Sequence, residues 1–147
     1  MARPEKVRLG DILVKEGLIS SVVLESALAE QKKTGRRLGR VLVDSQLVTE
    51  EAIAKALARQ LALAYVDLKV APVDTAALKL LSESQARRLR VMPLKVAEQG
   101  LLVGMADPGD LFAYDELVRL TQQEIHIAVV TEGDLLGAYD RYYRRTE

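Results

Sequence analysis

The chain has 147 residues, 49% of them apolar, with 21 basic and 21 acidic side chains, no cysteine and one histidine, His126. That is enough for one ordinary domain or two small ones with a real core, and it argues against global disorder. Without cysteine there are no disulfides, thiolate metal sites or thiol nucleophiles, and one histidine leaves little for a His-rich metal centre or a Ser-His-Asp triad.

The first 60 residues say nearly the same thing twice. RLGDILVKEGLISSVVLESALAEQ (8–31) is answered by RLGRVLVDSQLVTEEAIAKALARQ (37–60), with 10 of 24 aligned positions identical. Each copy reads as a short helix, a turn and a longer helix. Leu9, Ile12 and Leu13, then Leu24, Ala27, Leu28 and Gln31, keep the i, i+3, i+4 spacing of one helical face, and Leu38, Val41, Leu42, Ile53, Ala56, Leu57 and Gln60 repeat it. Gly17 is placed to end the first short helix in the left-handed conformation. Ser20 or Ser21 and Thr49 are placed as N-caps, with Glu50 and Glu51 favourable at a helix start. One such unit cannot bury its own apolar stripe, whereas two packed together can.

After Gln60 the pattern changes. AYVDL (64–68) is strand-like, and Pro72, Val73 and Asp74 open a helical TAALKLL. SESQARRL (82–89) is a second short helix capped by Ser82. Val91–Ala97 and Leu101–Met105, split by Glu98-Gln99-Gly100, predict a hairpin. Asp110–Gln122 predicts an amphipathic helix, Ile125–Val130 a strand, and Thr131–Tyr143 a closing helix capped by Thr131. The expected fold is α+β: a helical subdomain of two tandem helix-turn-helix repeats over 1–62, packed on a small α/β subdomain with a mixed sheet over 63–147. No apolar run approaches the ~20 residues of a membrane span, and MARPEKVRLG lacks the apolar core of a signal peptide, so the expected location is cytoplasmic.

Charge is unevenly spread: residues 1–60 hold 11 basic and 8 acidic side chains, and residues 61–147 hold 10 and 13. Lys32, Lys33, Arg36, Arg37 and Arg40 cluster between the two copies. They suit a phosphate, or equally a solvated turn. In each RLG, arginine offers a planar fork for phosphate or a guanine edge, and glycine lets a ligand approach the backbone. The same residues can also be surface arginine, core leucine and helix-packing glycine. Gln31 and Gln60 end their apolar stripes with a carboxamide able to donate and accept, or lie half in solvent at a helix end. In MADPGD (105–110), Asp107 and Asp110 could bind metal or act as a base, though a turn and helix cap fit better. His126, in an alternating strand, is expected to face solvent, and Tyr114, Tyr139, Tyr142 and Tyr143 to be core or interface rings. No GxxxxGK[ST] motif and no catalytic constellation is present in the sequence, so the chain is not expected to be an enzyme.

The paired frames RLGxxLVxxxL(I/V) followed by eleven residues and Gln, five residues apart, resemble the doubled motif of the MshEN domain. AYVDL, ARRLRVMPL, LLVGMADPGDLFAYDEL and the turn before YDRYY resemble the rest of that family. The resemblance implies the N-terminal regulatory module of type II secretion and type IV pilus assembly ATPases, a receptor for cyclic di-GMP with no other cofactor and no metal. The implied ligand contacts are Arg8, Leu9, Gly10, Leu13, Leu24, Leu28 and Gln31, matched by Arg37, Leu38, Gly39, Leu42, Ile53, Leu57 and Gln60, with Asp107 reaching a guanine edge. The implied partners are cyclic di-GMP and secretion or pilus ATPase machinery, in cis or in trans, with no nucleic acid and no direct membrane insertion. Two departures stand out: Gln46 occupies the place of Gly17 in the second copy, and Ile53 replaces a leucine. No ATPase sequence follows Glu147, which suggests either a fragment boundary or a stand-alone sensor. The alternative to the sensor is a ligand-independent docking module of a secretion or pilus machine.

Overall fold

The computed structural model describes residues 8–144; the outermost parts of the two expected subdomains, 1–7 and 145–147, lie outside the described residues. The described chain divides into two compact units, Arg8–Ala62 and the residues from Leu63. The fold is α+β, with helices preceding a small α/β part.

The first unit is α1 (Leu9–Lys15), α2 (Ser21–Thr34), α3 (Leu38–Asp44) and α4 (Glu50–Leu61). The longer helix of each copy starts at a hydroxyl cap. Ser20 Oγ accepts from the Val23 N–H at 3.1 Å, and Thr49 Oγ1 from the Ala52 N–H at 3.0 Å. Both short helices stop in the same way. Gly17 (φ 78°) donates its N–H to Val14 O at 3.0 Å while Leu18 donates to Leu13 O at 3.0 Å. In the second copy Gln46 (φ 61°) donates to Val43 O at 2.9 Å and Leu47 to Leu42 O at 3.2 Å. This is the Schellman pattern, and the second copy builds it without glycine. The helices pack as α1 on α4 and α2 on α3, with α1 also against α3. Leu13 and Leu42 are wholly enclosed at 0% exposure; burying such a side chain stabilises by roughly 1.5–3 kcal/mol.

The second unit is β1 (Ala64–Tyr65), α5 (Thr75–Leu78), α6 (Glu83–Leu89), β2 (Val91–Ala97), β3 (Gly100–Met105), α7 (Leu111–Thr121), β4 (Ile125–Val129) and α8 (Glu132–Ala138), which runs on into a π-helical turn at Tyr139–Tyr143. The sheet is mixed, in the order β1-β4-β3-β2, with β4 parallel to both β1 and β3 and β2 antiparallel to β3. Central β4 is buried from Ile127 to Val129, as expected of a strand covered on both faces. At the hairpin, Gly100 (φ 137°) lies so close to the Glu124 carbonyl that any Cβ would collide with it, so only glycine fits.

Three predicted elements differ in extent. The strand in AYVDL is short: Ala64 and Tyr65 pair with β4 and the Val66 N–H still donates to Val129 O at 2.9 Å, after which Asp67 Oδ1 accepts the Lys69 N–H at 3.0 Å and turns the chain away. The helix over TAALKLL is a single turn, since Ser82 starts a new helix with a full capping box to Gln85. The closing helix widens at Tyr139, where the tyrosine hydroxyls reach backbone carbonyls. Tyr139 bonds Val91 O at 2.8 Å or Ala86 O at 3.0 Å, Tyr142 bonds Ala71 O at 3.1 Å, and Tyr143 bonds Leu81 O at 2.8 Å. The tyrosines are thus core rings with partnered hydroxyls, and burial pushes the Tyr139 and Tyr143 phenols above their ordinary range.

Candidate functional site

The two RLG motifs open the two short helices in the same way. Arg8 and Arg37 each occupy the N-cap position with extended backbone, and neither side chain caps its own helix. Both arginines are exposed. The motifs also meet: Leu9 Cδ2 lies 3.5 Å from the place a Cβ on Gly39 would occupy. The first motif's leucine therefore covers the second motif's glycine, and both arginines lead into helices that pack on each other.

The two glycines are not equivalent. A Cβ on Gly10 would stand 2.5 Å from Leu24 Cδ1, so Gly10 is a helix-packing residue, buried under its own copy's longer helix. Around Gly39 the nearest atoms lie at 3.5 and 3.9 Å, ordinary contact distances, so its position retains space.

The remaining residues implied by the resemblance fall into three groups. Leu28 is exposed at 40%. Leu9, Leu24, Gln31, Leu38, Gly39 and Gln60 are half-buried. Ile53 and Leu57 are buried at 8% and 6%, and Leu13 and Leu42 have no exposed surface at all. Direct contact through Leu13 or Leu42 requires the helices to part, so in this structure they are core beneath the motifs. Asp107 belongs to the second unit, where its Oδ1 accepts from the Gly109 N–H at 3.2 Å while Asp110 caps α7 through the Ala113 N–H at 3.0 Å. MADPGD is therefore a turn and a helix cap.

The basic cluster is largely balanced. Arg36 pairs with Asp44, and Arg40 reaches Asp44 at 3.7 Å and Glu50 at 3.5 Å. Lys32 and Lys33 are exposed in the last turn of α2, where cations complement the helix dipole. His126 is partly exposed, with Nε2 at 3.1 Å from Gln99 O. Among the described residues no group of three or more His, Asp or Glu side chains could hold a metal, and no helix is long and apolar enough to cross a membrane.

One residue near the motifs escaped the sequence reading. Glu16, the C-cap residue that follows α1, accepts from Arg59 at 2.8 Å and from the Gln60 carboxamide Nε2 at 2.5 Å. The Gln60 hydrogen bond first, and the Arg59 guanidinium second, hold its carboxyl below the usual range. Its aligned counterpart is Ser45, so the comparison of the two copies carried no signal for it. On the α2–α3 side a cleft of about 380 Å³, lined among others by Val23, Glu30, Arg36, Ser45 and Leu47, opens between the helices.

A duplicated helical frame followed by a small mixed-sheet unit, with paired arginines at two helix starts, defines the type of domain. The MshEN domain model matches residues 61–147, and the chain belongs to that family. The type IV pilus assembly ATPase PilB of Myxococcus xanthus is 36% identical over 136 residues, which cover 92% of this chain and 24% of that protein. The chain thus spans only about a quarter of that relative. The solved structure of MshE with cdg superposes at a TM-score of 0.84, with 41% identity over 94% of this chain and all of that one. The N-terminal domain of XpsE shares the fold at a TM-score of 0.76 and 20% identity. The family model rests on the α/β half, while a likeness over 94% of the chain takes in the repeats as well. The family is a domain separate from the ATPase catalytic domain, and these 147 residues are not an enzyme.

Proposed function

We propose that this chain is a cyclic di-GMP receptor domain, in which each RLG frame takes one half of the dinucleotide. The observation that carries this reading is the meeting of the two motifs, with Leu9 against Gly39 and an exposed arginine at the start of each short helix. A ligand with two equivalent halves suits a duplicated surface. The 41% identical MshE structure, solved with cdg, the abbreviation of cyclic di-GMP, supports the same ligand. Arg8 and Arg37 supply forks for phosphate or guanine edges. Leu9, Leu38, Leu24, Leu28, Ile53 and Leu57 supply apolar walls, Gly39 a close approach, and Gln31 and Gln60 carboxamides for base edges. Gly10, Leu13 and Leu42 support the site from beneath. The domain works in the cytoplasm and passes occupancy to a pilus or secretion ATPase, in cis or in trans, without nucleic-acid or bilayer partners.

The test is a melting curve with cyclic di-GMP, with cyclic di-AMP and GTP as controls. Ligand at a hundredfold its Kd should stabilise the fold by about 2.7 kcal/mol, and the rise should be specific to cyclic di-GMP. An unchanged melting temperature at every concentration would contradict the reading. It would favour the docking module instead, for which the half-exposed Leu47 beside the α2–α3 cleft offers apolar surface.

A further inference from the structure

The two copies differ at the one place where a carboxamide is held. In the second half-site Glu16 Oε2 lies 2.5 Å from Gln60 Nε2, and Glu16 Oε1 takes Arg59 Nε at 2.8 Å and Nη2 at 2.7 Å. Glu16 is itself only 13% exposed, so the contact is an anchored one. An ionised carboxylate only accepts hydrogen bonds. The carboxamide facing it must therefore turn its NH2 inward, which leaves its oxygen for a ligand.

The first half-site lacks this device. Moving Glu16, Arg59 and Gln60 to their aligned counterparts gives Ser45, Glu30 and Gln31. Ser45 turns its hydroxyl to Val41 O at 2.8 Å. Glu30 and Ser45 instead line the open cleft between α2 and α3. Nothing among these residues fixes which way the Gln31 amide faces.

We infer that Glu16 is a positioning residue that sets base specificity: it fixes the Gln60 carboxamide with its oxygen presented, so the second half-site selects a base edge that donates. Guanine offers two adjacent donors on that edge, N1 and the 2-amino group, whereas adenine offers one donor, the 6-amino group, beside an acceptor at N1. A fixed oxygen placed opposite N1 accepts from guanine and is repelled by adenine. The two half-sites are then unequal, one oriented in advance by Glu16 and one oriented by the ligand itself. This inference rests on the proposed cyclic di-GMP site and names a residue outside its contacts.

The experiment is a calorimetric double-mutant cycle on the chain, using Glu16→Ala, Gln60→Ala and the double variant, each titrated with cyclic di-GMP and cyclic di-AMP. Glu16→Ala should weaken cyclic di-GMP binding about five- to tenfold, the value of one hydrogen bond, and should narrow the preference over cyclic di-AMP. In the Gln60→Ala background the same substitution should change affinity less than about twofold, because Glu16 acts through Gln60. Equal losses in both backgrounds would overturn the inference. So would an unchanged Glu16→Ala in a chain whose wild type binds. A wild type that does not bind would instead defeat the proposed function. If Glu16→Ala does not fold, Glu16→Gln, equal in size but able to face the carboxamide either way, takes its place. It should show the same narrowed preference, and a full wild-type preference would overturn the role.

Discussion

At the scale of single residues, the paired arginines carry the sharpest consequence. Each begins a short helix without capping it, so removing either should cost the ligand and spare the fold. Arg8→Ala or Arg37→Ala should lose a charge-assisted contact of roughly 1.5–3 kcal/mol, about a ten- to hundredfold rise in Kd, while the free protein still folds. Equal affinity in both variants would remove the arginines from the site. Gly39 separates packing from binding. Its Cβ position meets only ordinary contacts at 3.5 and 3.9 Å, and alanine is the better helix former by about 1 kcal/mol. Gly39→Ala should therefore keep or raise the melting temperature while weakening cyclic di-GMP. Unweakened binding would make Gly39 a packing glycine only. Glu16 adds a pH signature. Its carboxyl lies below the ordinary value of 4.5 because Gln60 and Arg59 favour the ionised form. The stability it contributes is present above about 4.5 and disappears as pH falls through the lower folded value. Between pH 5 and 3 the melting temperature of Glu16→Gln should fall less steeply than that of wild type; parallel curves would argue against the contact. The doubled RLG names the residues proposed for the site but not their depth. A stripe of leucines at helical spacing marks one face, and only packing shows that Leu13 and Leu42 lie beneath it while Leu28 is exposed.

Helix ends decide the most at the scale of elements. The two short helices close with the same pair of hydrogen bonds, one around Gly17 and one around Gln46. A left-handed non-glycine residue costs about 1–2 kcal/mol, partly offset by glycine's greater freedom in the unfolded chain. Gln46→Gly should raise the melting temperature by a few degrees, and a drop would mean that the Gln46 side chain makes a compensating contact. The caps at Ser20, Thr49, Ser82, Asp110 and Thr131 were readable because each needs only a side-chain oxygen a few residues before an apolar run. The short β1 and the single-turn α5 were not readable. Their lengths depend on an Asp67 turn and on a competing cap at Ser82, both local rivals to the apolar pattern. The widening at Tyr139–Tyr143 was hidden for another reason. It follows from where distant carbonyls of Leu81, Ala86 and Val91 stand, which no local window contains.

For the whole molecule, the proposed function has duplication turn a weak surface into a specific one. Either frame alone offers an arginine, an apolar wall and a carboxamide; two frames meeting at Leu9 and Gly39 offer them in a pair. The α/β unit carries the family signature over residues 61–147, while the repeats carry the chemistry proposed for the ligand. Sequence comparison of the two copies shows their likeness and conceals the difference that Glu16 makes, because asymmetry is lost when only matching positions are read. The central claim is that both frames serve one dinucleotide, and calorimetric stoichiometry tests it most directly. Titration of the chain with cyclic di-GMP should saturate at one dinucleotide per chain. Two dinucleotides bound independently, one to each frame, would contradict the account, as would no saturable heat together with an unmoved melting temperature.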